Sequence, residues 1–501
     1  MAFVKRYLNE ILISLGLFLA YFATRLYNIS YLPIFTDEAI YIRWSQIAKY
    51  DASWRFISLT DGKQPSFVWI DMIFMKFVND PLLAGRLVSV ASGFFALVGI
   101  YFLGREVFKN HRIGLISAVL YVIYPFSIVY DRMALYDSLV TTAAIWALYF
   151  EVLLIRLKRL DIALILGIVL GFGVLTKSSA FFYLYLLPFS LLLFDFKVKH
   201  KLCEFLKWVG LAVLSSVMAL SIYSIQRLSP FFHIIEEKNS IFVYPVSEWI
   251  RHPFEFFFGN LNGLTDWFIS YTTIPVFVLI VVSFLLGGTK HLREKVLLFL
   301  WFIIPFVLLA LFGKVLYPRF ILFMTMPLLV LSAYSLNYAM SLIKNNLLKA
   351  GVLLVVSLPM LYSNFYILTD FARAPIAKAD TDQFVNAWPA GGGVKEIVSY
   401  FGEKAKSQKI YVATEGTFGS LPTYAMEIYL DENKNIQKRG IWPLQREIPK
   451  DLPERAKTMR VYLVLNTTQI PPDNWPIKLV TKYQKGIGNS YMSVYEVIPN
   501  K

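Results

Sequence analysis

Up to residue 369 the apolar residues come in long unbroken runs, not in the alternation of a strand or the stripe of a surface helix. A helix crosses a bilayer with about 20 mostly apolar residues. Runs near that length fall at 8–27, 82–104, 113–131, 138–156, 161–177, 179–195, 205–226, 268–287, 296–313, 319–340 and 347–368, which predicts about eleven transmembrane helices. A further run, 65–79 (PSFVWIDMIFMKFVN), is shorter and contains Asp71 and Lys76. Beyond 369 the pattern changes. Residues 393–406 have a helical apolar period, and 409–414, 460–466 and 491–498 read as strands. The expected fold is a polytopic α-helical membrane module, 1–369, followed by a soluble α/β domain, 370–501.

Composition agrees with that division. The chain is 57% hydrophobic and 17% charged, with mean hydropathy +0.54. These figures exclude a disordered chain, a nucleic-acid-binding tail and a disulfide scaffold. The one cysteine, Cys203, excludes an internal disulfide and a Cys-based zinc site. Charged residues make up about 14% of 1–369 and about 24% of 370–501, the second figure being that of a soluble domain. The net charge of +15 is concentrated in turns. Arg105-Lys109-Arg112, Arg156-Lys158-Arg159, Lys197-Lys199-Lys201, Lys290-Arg293-Lys295 and Lys344-Lys349 all fall on the cytoplasmic side if the N-terminus is inside and eleven helices cross. Counting 65–79 as a twelfth span would move these clusters outside. That segment is therefore expected in the outer interface. Loops 28–81, 131–138 and 227–267 and the C-terminal domain are expected to be extracytoplasmic, at a plasma or inner membrane.

In this topology the ionisable residues outside the basic turns gather on one face. Asp37, Glu38 and Lys63 lie in the first outer loop, Arg132 and Asp137 in the second, and Lys177 and Arg319 at later outer turns. Ionisable groups at membrane depth are costly and usually functional. The sequence has no P-loop, no dinucleotide fingerprint, no HExxH and no GxSxG. What remains is carboxylates, which deprotonate hydroxyls, and cations, which hold phosphate. Glycosyl transfer from a phosphate-linked sugar uses both.

The same residues carry a resemblance. Phe35-Thr36-Asp37-Glu38-Ala39, after a first apolar helix, resembles the acidic first-loop motif of GT-C glycosyltransferases, in particular the protein O-mannosyltransferase and lipid A aminoarabinose transferase group. Lys63-Gln64-Pro65 is similar to the Lys-Pro-Pro or His-Pro-Pro motif of that group, with Gln64 in place of the first proline. Tyr130-Asp131-Arg132-Met133-Ala134-Leu135-Tyr136-Asp137 resembles its Arg-x-Ala-x-x-Asp pattern. Gly171-Phe172-Gly173-Val174-Leu175-Thr176-Lys177 resembles its Gly-x-x-x-Leu-x-Lys turn, and Tyr317-Pro318-Arg319-Phe320 with Pro327 its late Arg-then-Pro turn. The resemblance spans residues 8–340 and lacks MIR-type repeat modules.

It implies a GT-C enzyme that moves a sugar from a polyprenyl-phosphate donor to a lipid, glycan or protein hydroxyl, by an inverting displacement. Asp37, Glu38 and Asp137 would be the catalytic acids. Lys63, Arg132, Lys177 and Arg319 would bind the lipid phosphate, and a divalent ion on Asp37 and Asp137 is an open alternative. The residues also have structural readings: Thr36–Glu38 as a helix cap, Arg132–Asp137 as an ion pair, and Lys63, Lys177 and Arg319 as interface anchors. A multi-span lipid or polysaccharide transporter and a non-catalytic envelope-assembly protein are the competing functions. In the C-terminal domain, Glu415–Gly419 reads as a turn or a binding loop after a strand.

Overall fold

A computed structural model describes residues 2–416, 420–466 and 470–499. The first half of the chain forms helices α1 (Ala2–Leu26), α2 (Thr36–Tyr50), α3 (Ser66–Phe74), α4 (Pro81–Phe108), α5 (His111–Ile123), α6 (Pro125–Tyr130), α7 (Asp137–Leu157) and α8 (Leu160–Thr176). Six helices are long and apolar enough to cross a membrane: Pro81–Phe108, Asp137–Leu157, Lys201–Leu228, Leu292–Phe312, Pro318–Leu342 and Asn346–Thr369. Phe257–Thr272 and Ile274–Val282 form a pair bent by 102°, a seventh span if counted as one. Ile11–Leu26, His111–Ile123, Leu160–Thr176 and Ser178–Leu193 are shorter apolar helices. The apolar runs thus lie where they are expected, but length and composition support six or seven crossings among the described residues and do not establish eleven. Helix breaks explain the shortening. Tyr124, forced to an extended conformation ahead of Pro125, ends α5 and splits the run expected at 113–131.

The 65–79 segment contains only the nine-residue α3. At 1.5 Å per residue such a helix is about 13 Å long, less than half of a hydrocarbon core.

Helix starts follow capping chemistry. Asp80 accepts from the Leu83 amide ahead of Pro81, and Asn110 from the Arg112 amide. Close helix contacts rely on glycine: a Cβ on Gly114 would sit 2.6 Å from the Tyr101 carbonyl oxygen of α4. The aromatic-rich run 252–258 (HPFEFFF) is mostly a turn that feeds the helix beginning at Phe257.

The C-terminal part is a five-stranded sheet of order β2-β1-β3-β5-β4, with β1 (Ile410–Glu415), β2 (Ile436–Ile441), β3 (Arg460–Leu465), β4 (Ile477–Gln484) and β5 (Tyr491–Val497). β1 is parallel to β2 and β3; β5 is antiparallel to β3 and β4. The three expected strands are β1, β3 and β5, buried inside the sheet. The two edges are the strands that the apolar pattern misses, because they carry lysines and arginine on exposed faces, as edge strands do.

The two parts are packed together. Arg43 of α2 makes ion pairs with Glu427 (3.0 Å) and Asp431 (2.8 Å). Thr36 donates to the Pro389 carbonyl through both its amide (3.1 Å) and its hydroxyl (2.8 Å).

The loop after α1 and the loop after α6 are joined through a buried ion pair. Arg86, inside α4, grips Glu38 bidentately at 2.9 and 2.8 Å, and both side chains are fully buried. Arg86 also donates to the carbonyls of Ile29, Leu32 and Pro33. Glu38 accepts from the amides of Phe35 (2.9 Å) and Ala134 (2.7 Å). Removing one partner of such a pair costs about 3–5 kcal/mol, because a charge is left buried alone. Glu38→Ala is therefore expected to lower the thermal unfolding midpoint in detergent strongly, and Glu38→Leu with Arg86→Met to recover much of the loss. A single variant as stable as wild type would contradict the role of this pair.

Candidate active site

A cavity of about 740 Å³ opens beside the first and second loops. Lys63, Asp137, Lys177 and Arg319 line it, together with Tyr41, Tyr136 and the rings of Phe181, Phe182, Phe242 and Phe320. Its charged groups, which also include Glu236 and Lys238, come from five separate places in the chain, so local geometry has to aim each of them. Gly62, with φ +64°, turns the chain so that Lys63 points inward. Gln64 donates to the Ser178 hydroxyl (2.8 Å) and Ser66 to the Leu175 carbonyl (2.8 Å), which ties this loop to the turn that carries Lys177. The glutamine that departs from the expected Pro-Pro pair thus supplies a donor that proline lacks. Asp137 is the first residue of α7, where the helix dipole favours a carboxylate. Lys177 follows the last turn of α8, and Arg319 precedes the helix Leu322–Leu342.

Two ion pairs cross the site. Lys177 Nζ is 2.7 Å from Asp137 Oδ1, and Arg319 Nη2 is 2.8 Å from Asp37 Oδ2. Asp37 sits on the first turn of α2, one turn ahead of Tyr41; it is not a lining residue but touches one, Arg319. Lys177 lies over the Phe320 ring at 4.8 Å and Arg319 over the Tyr317 ring at 4.7 Å, which holds both cations in place. Two hydrogen-bonding capacities are left unspent. Arg319 Nη1 is buried with no partner among the described residues. Lys63 forms no ion pair there and rests 5.3 Å from the Phe242 ring. Burial pushes the Lys63 pKa down to about 8; the neighbouring Lys177 and Arg319 charges add to this and Asp37 opposes it. Burial, with the Asp37 carboxylate adding, pushes the Tyr41 hydroxyl well above its ordinary range, so it remains a proton donor.

Two expected site residues are elsewhere. Glu38 is consumed by Arg86 and by the start of α2, where it accepts from the amide of the N-cap residue Phe35, so the helix-cap reading is the one it follows. Arg132 does not line the cavity. It donates to the carbonyls of Tyr27 (2.9 Å) and Asn28 (3.1 Å) just past the end of α1, and it does not pair with Asp137. Its charge stabilises the C-terminal end of that helix. Asp37 and Asp137 each face a cation, and among the described residues no three His, Cys, Asp or Glu side chains come together. This donor set fits paired cations better than a divalent ion.

Sequence reasoning overlooked the supporting groups. Asp131 is buried and accepts from Tyr121 (3.1 Å), Ser138 (2.8 Å) and Arg25 (3.3 Å). Asp380, from the C-terminal part, accepts from Tyr130 (2.8 Å), Tyr271 and Gln383. The signal for Arg86 was available: an arginine inside an apolar run has to find a partner.

Residues 62–223 match the family model described as dolichyl-phosphate-mannose-protein mannosyltransferase. None of the curated proteins matches the chain. Two solved structures share the architecture. ArnT from Cupriavidus metallidurans, solved bound to undecaprenyl phosphate, is 12% identical with a TM-score of 0.57, covering 98% of each chain. The archaeal oligosaccharyltransferase AglB from Archaeoglobus fulgidus, solved with an inhibitory peptide and a dolichol-phosphate, is 14% identical with a TM-score of 0.51, covering 92% of this chain and 70% of that one. The chain has the GT-C fold. Its apolar helices make it a multi-pass membrane protein of that fold, with a small C-terminal sheet domain. Within this GT-C protein the matched segment, 62–223, carries Lys63, Asp137 and Lys177, while Asp37 and Arg319 join them from outside it.

The unpaired Lys63 gives a pH test. Its ammonium is present below pH 8 and is lost above it. Binding of a long-chain phosphate monoester, followed by calorimetry in detergent, is expected to weaken as pH rises through about 8, and Lys63→Met to remove that step. The ligand's own second ionisation, near pH 6, acts in the opposite direction. Wild-type affinity that stays level across this window would rule out Lys63 as an anion ligand.

Proposed function

We propose that this GT-C protein is a glycosyltransferase that takes a sugar from a polyprenyl-phosphate donor and delivers it to a lipid, glycan or protein hydroxyl on the extracytoplasmic side of the membrane. The observation that supports this most directly is the cavity itself: four cations line it, Lys177, Lys238 and Arg319 bound to carboxylates and Lys63 to none among the described residues, and an apolar aromatic wall continues from them. The resting Asp37–Arg319 pair bears on mechanism, because a carboxylate oxygen engaged by a guanidinium has to be freed before it can face an acceptor hydroxyl. A donor phosphate in the cavity takes up Lys63 and the free Nη1 of Arg319, and then competes for Nη2. Asp37 is thereby released as the donor arrives.

In the reaction, Asp37 takes the proton of the acceptor hydroxyl as its O–H bond breaks. The oxygen attacks the anomeric carbon from the face opposite the phosphate. The carbon–oxygen bond to phosphate breaks, and its electron pair leaves with the lipid phosphate, where Lys63, Lys177 and Arg319 stabilise the added charge. One displacement inverts the anomeric centre. Asp137 orients Lys177. In this reading the N-terminus is cytoplasmic and 370–501 is an extracytoplasmic domain.

A panel of polyprenyl-phosphate sugars assayed with wild type and Asp37→Asn tests this reading. Transfer by wild type with inverted product, and a fall in kcat of about 100- to 10,000-fold in the variant, is expected. Full turnover by Asp37→Asn would remove the base assignment.

A further inference from the structure

The carbonyl of Trp388 is bound by two buried groups of the sheet domain. Lys485, which follows β4, donates to it at 2.7 Å, and the Asn466 side-chain amide, just past β3, at 3.0 Å. Lys485 also bonds the Asn466 Oδ1. The Asn466 backbone amide in turn donates to Glu415, the last residue of β1, at 2.7 Å. Lys485 is fully buried, and Asn466 and Glu415 nearly so. The ends of three strands therefore converge on one peptide carbonyl.

The next residue along grips the first loop of the active site. The Pro389 carbonyl accepts both the amide and the hydroxyl of Thr36, the neighbour of Asp37. Ala390 pairs with Phe35 as an antiparallel bridge. Gly391 lies so close to this loop that a Cβ there would stand 2.2 Å from the Ile34 carbonyl oxygen. From the other side the Glu38–Arg86 pair holds the same stretch, Glu38 through the Phe35 amide and Arg86 through the Ile29, Leu32 and Pro33 carbonyls, so the contact with 389–391 is the second of two attachments ahead of Asp37.

We propose that Trp388–Gly391 is a strap and Lys485 its anchor, a positioning residue through which the C-terminal domain sets the orientation of Asp37. This rests on Asp37 being the base. Lys485 bonds two neutral oxygens with the Glu415 carboxylate close enough to act on its charge, and such a buried lysine contributes little net stability, since its desolvation offsets the interactions it makes. Held against the strap, it fixes a backbone that carries a reacting group, and a shift of about 1 Å at such a group costs on the order of 100-fold in rate.

The test is Lys485→Met, which keeps the shape of the side chain and removes its donors, compared with Val497→Ala, which loosens the buried core of the same sheet away from the strap. Lys485→Met is expected to lower kcat about tenfold or more and to leave the donor KM within about threefold. Hydrogen exchange in detergent should show faster exchange of the Thr36 amide in Lys485→Met. Val497→Ala, for a similar loss of thermal stability, should show neither change. Thr36→Val reaches the strap from its other end without altering the sheet domain, and should lower kcat in the same direction, less than additively with Lys485→Met. Unchanged Thr36 exchange in Lys485→Met, or equal effects of Lys485→Met and Val497→Ala, would overturn the proposal. If wild type transfers no sugar from any donor, the functional reading fails, and the exchange measurements still decide whether the strap exists.

Discussion

The site depends on a charge pair that takes no part in its chemistry. Arg86 is inside an apolar helix, where an unpaired guanidinium is untenable. Glu38 answers that charge, and in doing so fixes the first turn of α2, whose other acid is Asp37. The remaining capacity of Glu38 goes to the Ala134 amide, three residues before Asp137. One buried carboxylate thus sets the spacing between the two loops from which the acids of the cavity come. Arg25 and Asp131 repeat the device one layer away, joining α1 to α6 and the second loop.

Against this rigid frame the cavity cations are arranged for exchange. Arg319 spends one nitrogen on Asp37 and keeps another unspent, and Lys63 keeps its whole ammonium. Arg86, in contrast, distributes its donors over a carboxylate and three backbone carbonyls. Cations of the same formal charge therefore do different work. Those with capacity left over on a cavity wall can accept an arriving anion, and those already saturated hold loops together.

This difference explains what the sequence made legible. The apolar runs are a property of composition, and they correspond to helices of the fold. Lys63, Asp137, Lys177 and Arg319, which meet at one cavity, and Asp37, which touches Arg319, stand out in the sequence because each lies at or near a helix end where an ionisable residue is conspicuous. Glu38 and Arg132 were assigned alongside them because one-dimensional proximity cannot separate a side chain that faces the cavity from its neighbour on the helix, which faces inward. Arg86 and Asp380 were missed for a related reason: their partners are 48 and 250 residues away. Edge strands β2 and β4 escaped because their charged faces resemble loops.

The C-terminal domain follows from the same economy of buried polar groups. Its contribution to the membrane module is not a broad apolar face alone. Asp380 accepts from Tyr130 and Tyr271 within the helical part, and Pro389 accepts from Thr36. Each contact falls on, or beside, a loop that carries a cavity residue: Tyr130 precedes the second loop and Thr36 opens α2. A domain held on only as a solvated appendage would have no reason to bury a carboxylate between two tyrosines of the helical module, given the desolvation that this costs. The burial is intelligible if the loops after α1 and α6, too short to form a core of their own, are packed between helices on one side and the sheet domain on the other. The backbone ahead of Asp37 is then fixed from both sides, while Lys63 and Arg319 at the cavity keep unsatisfied donors.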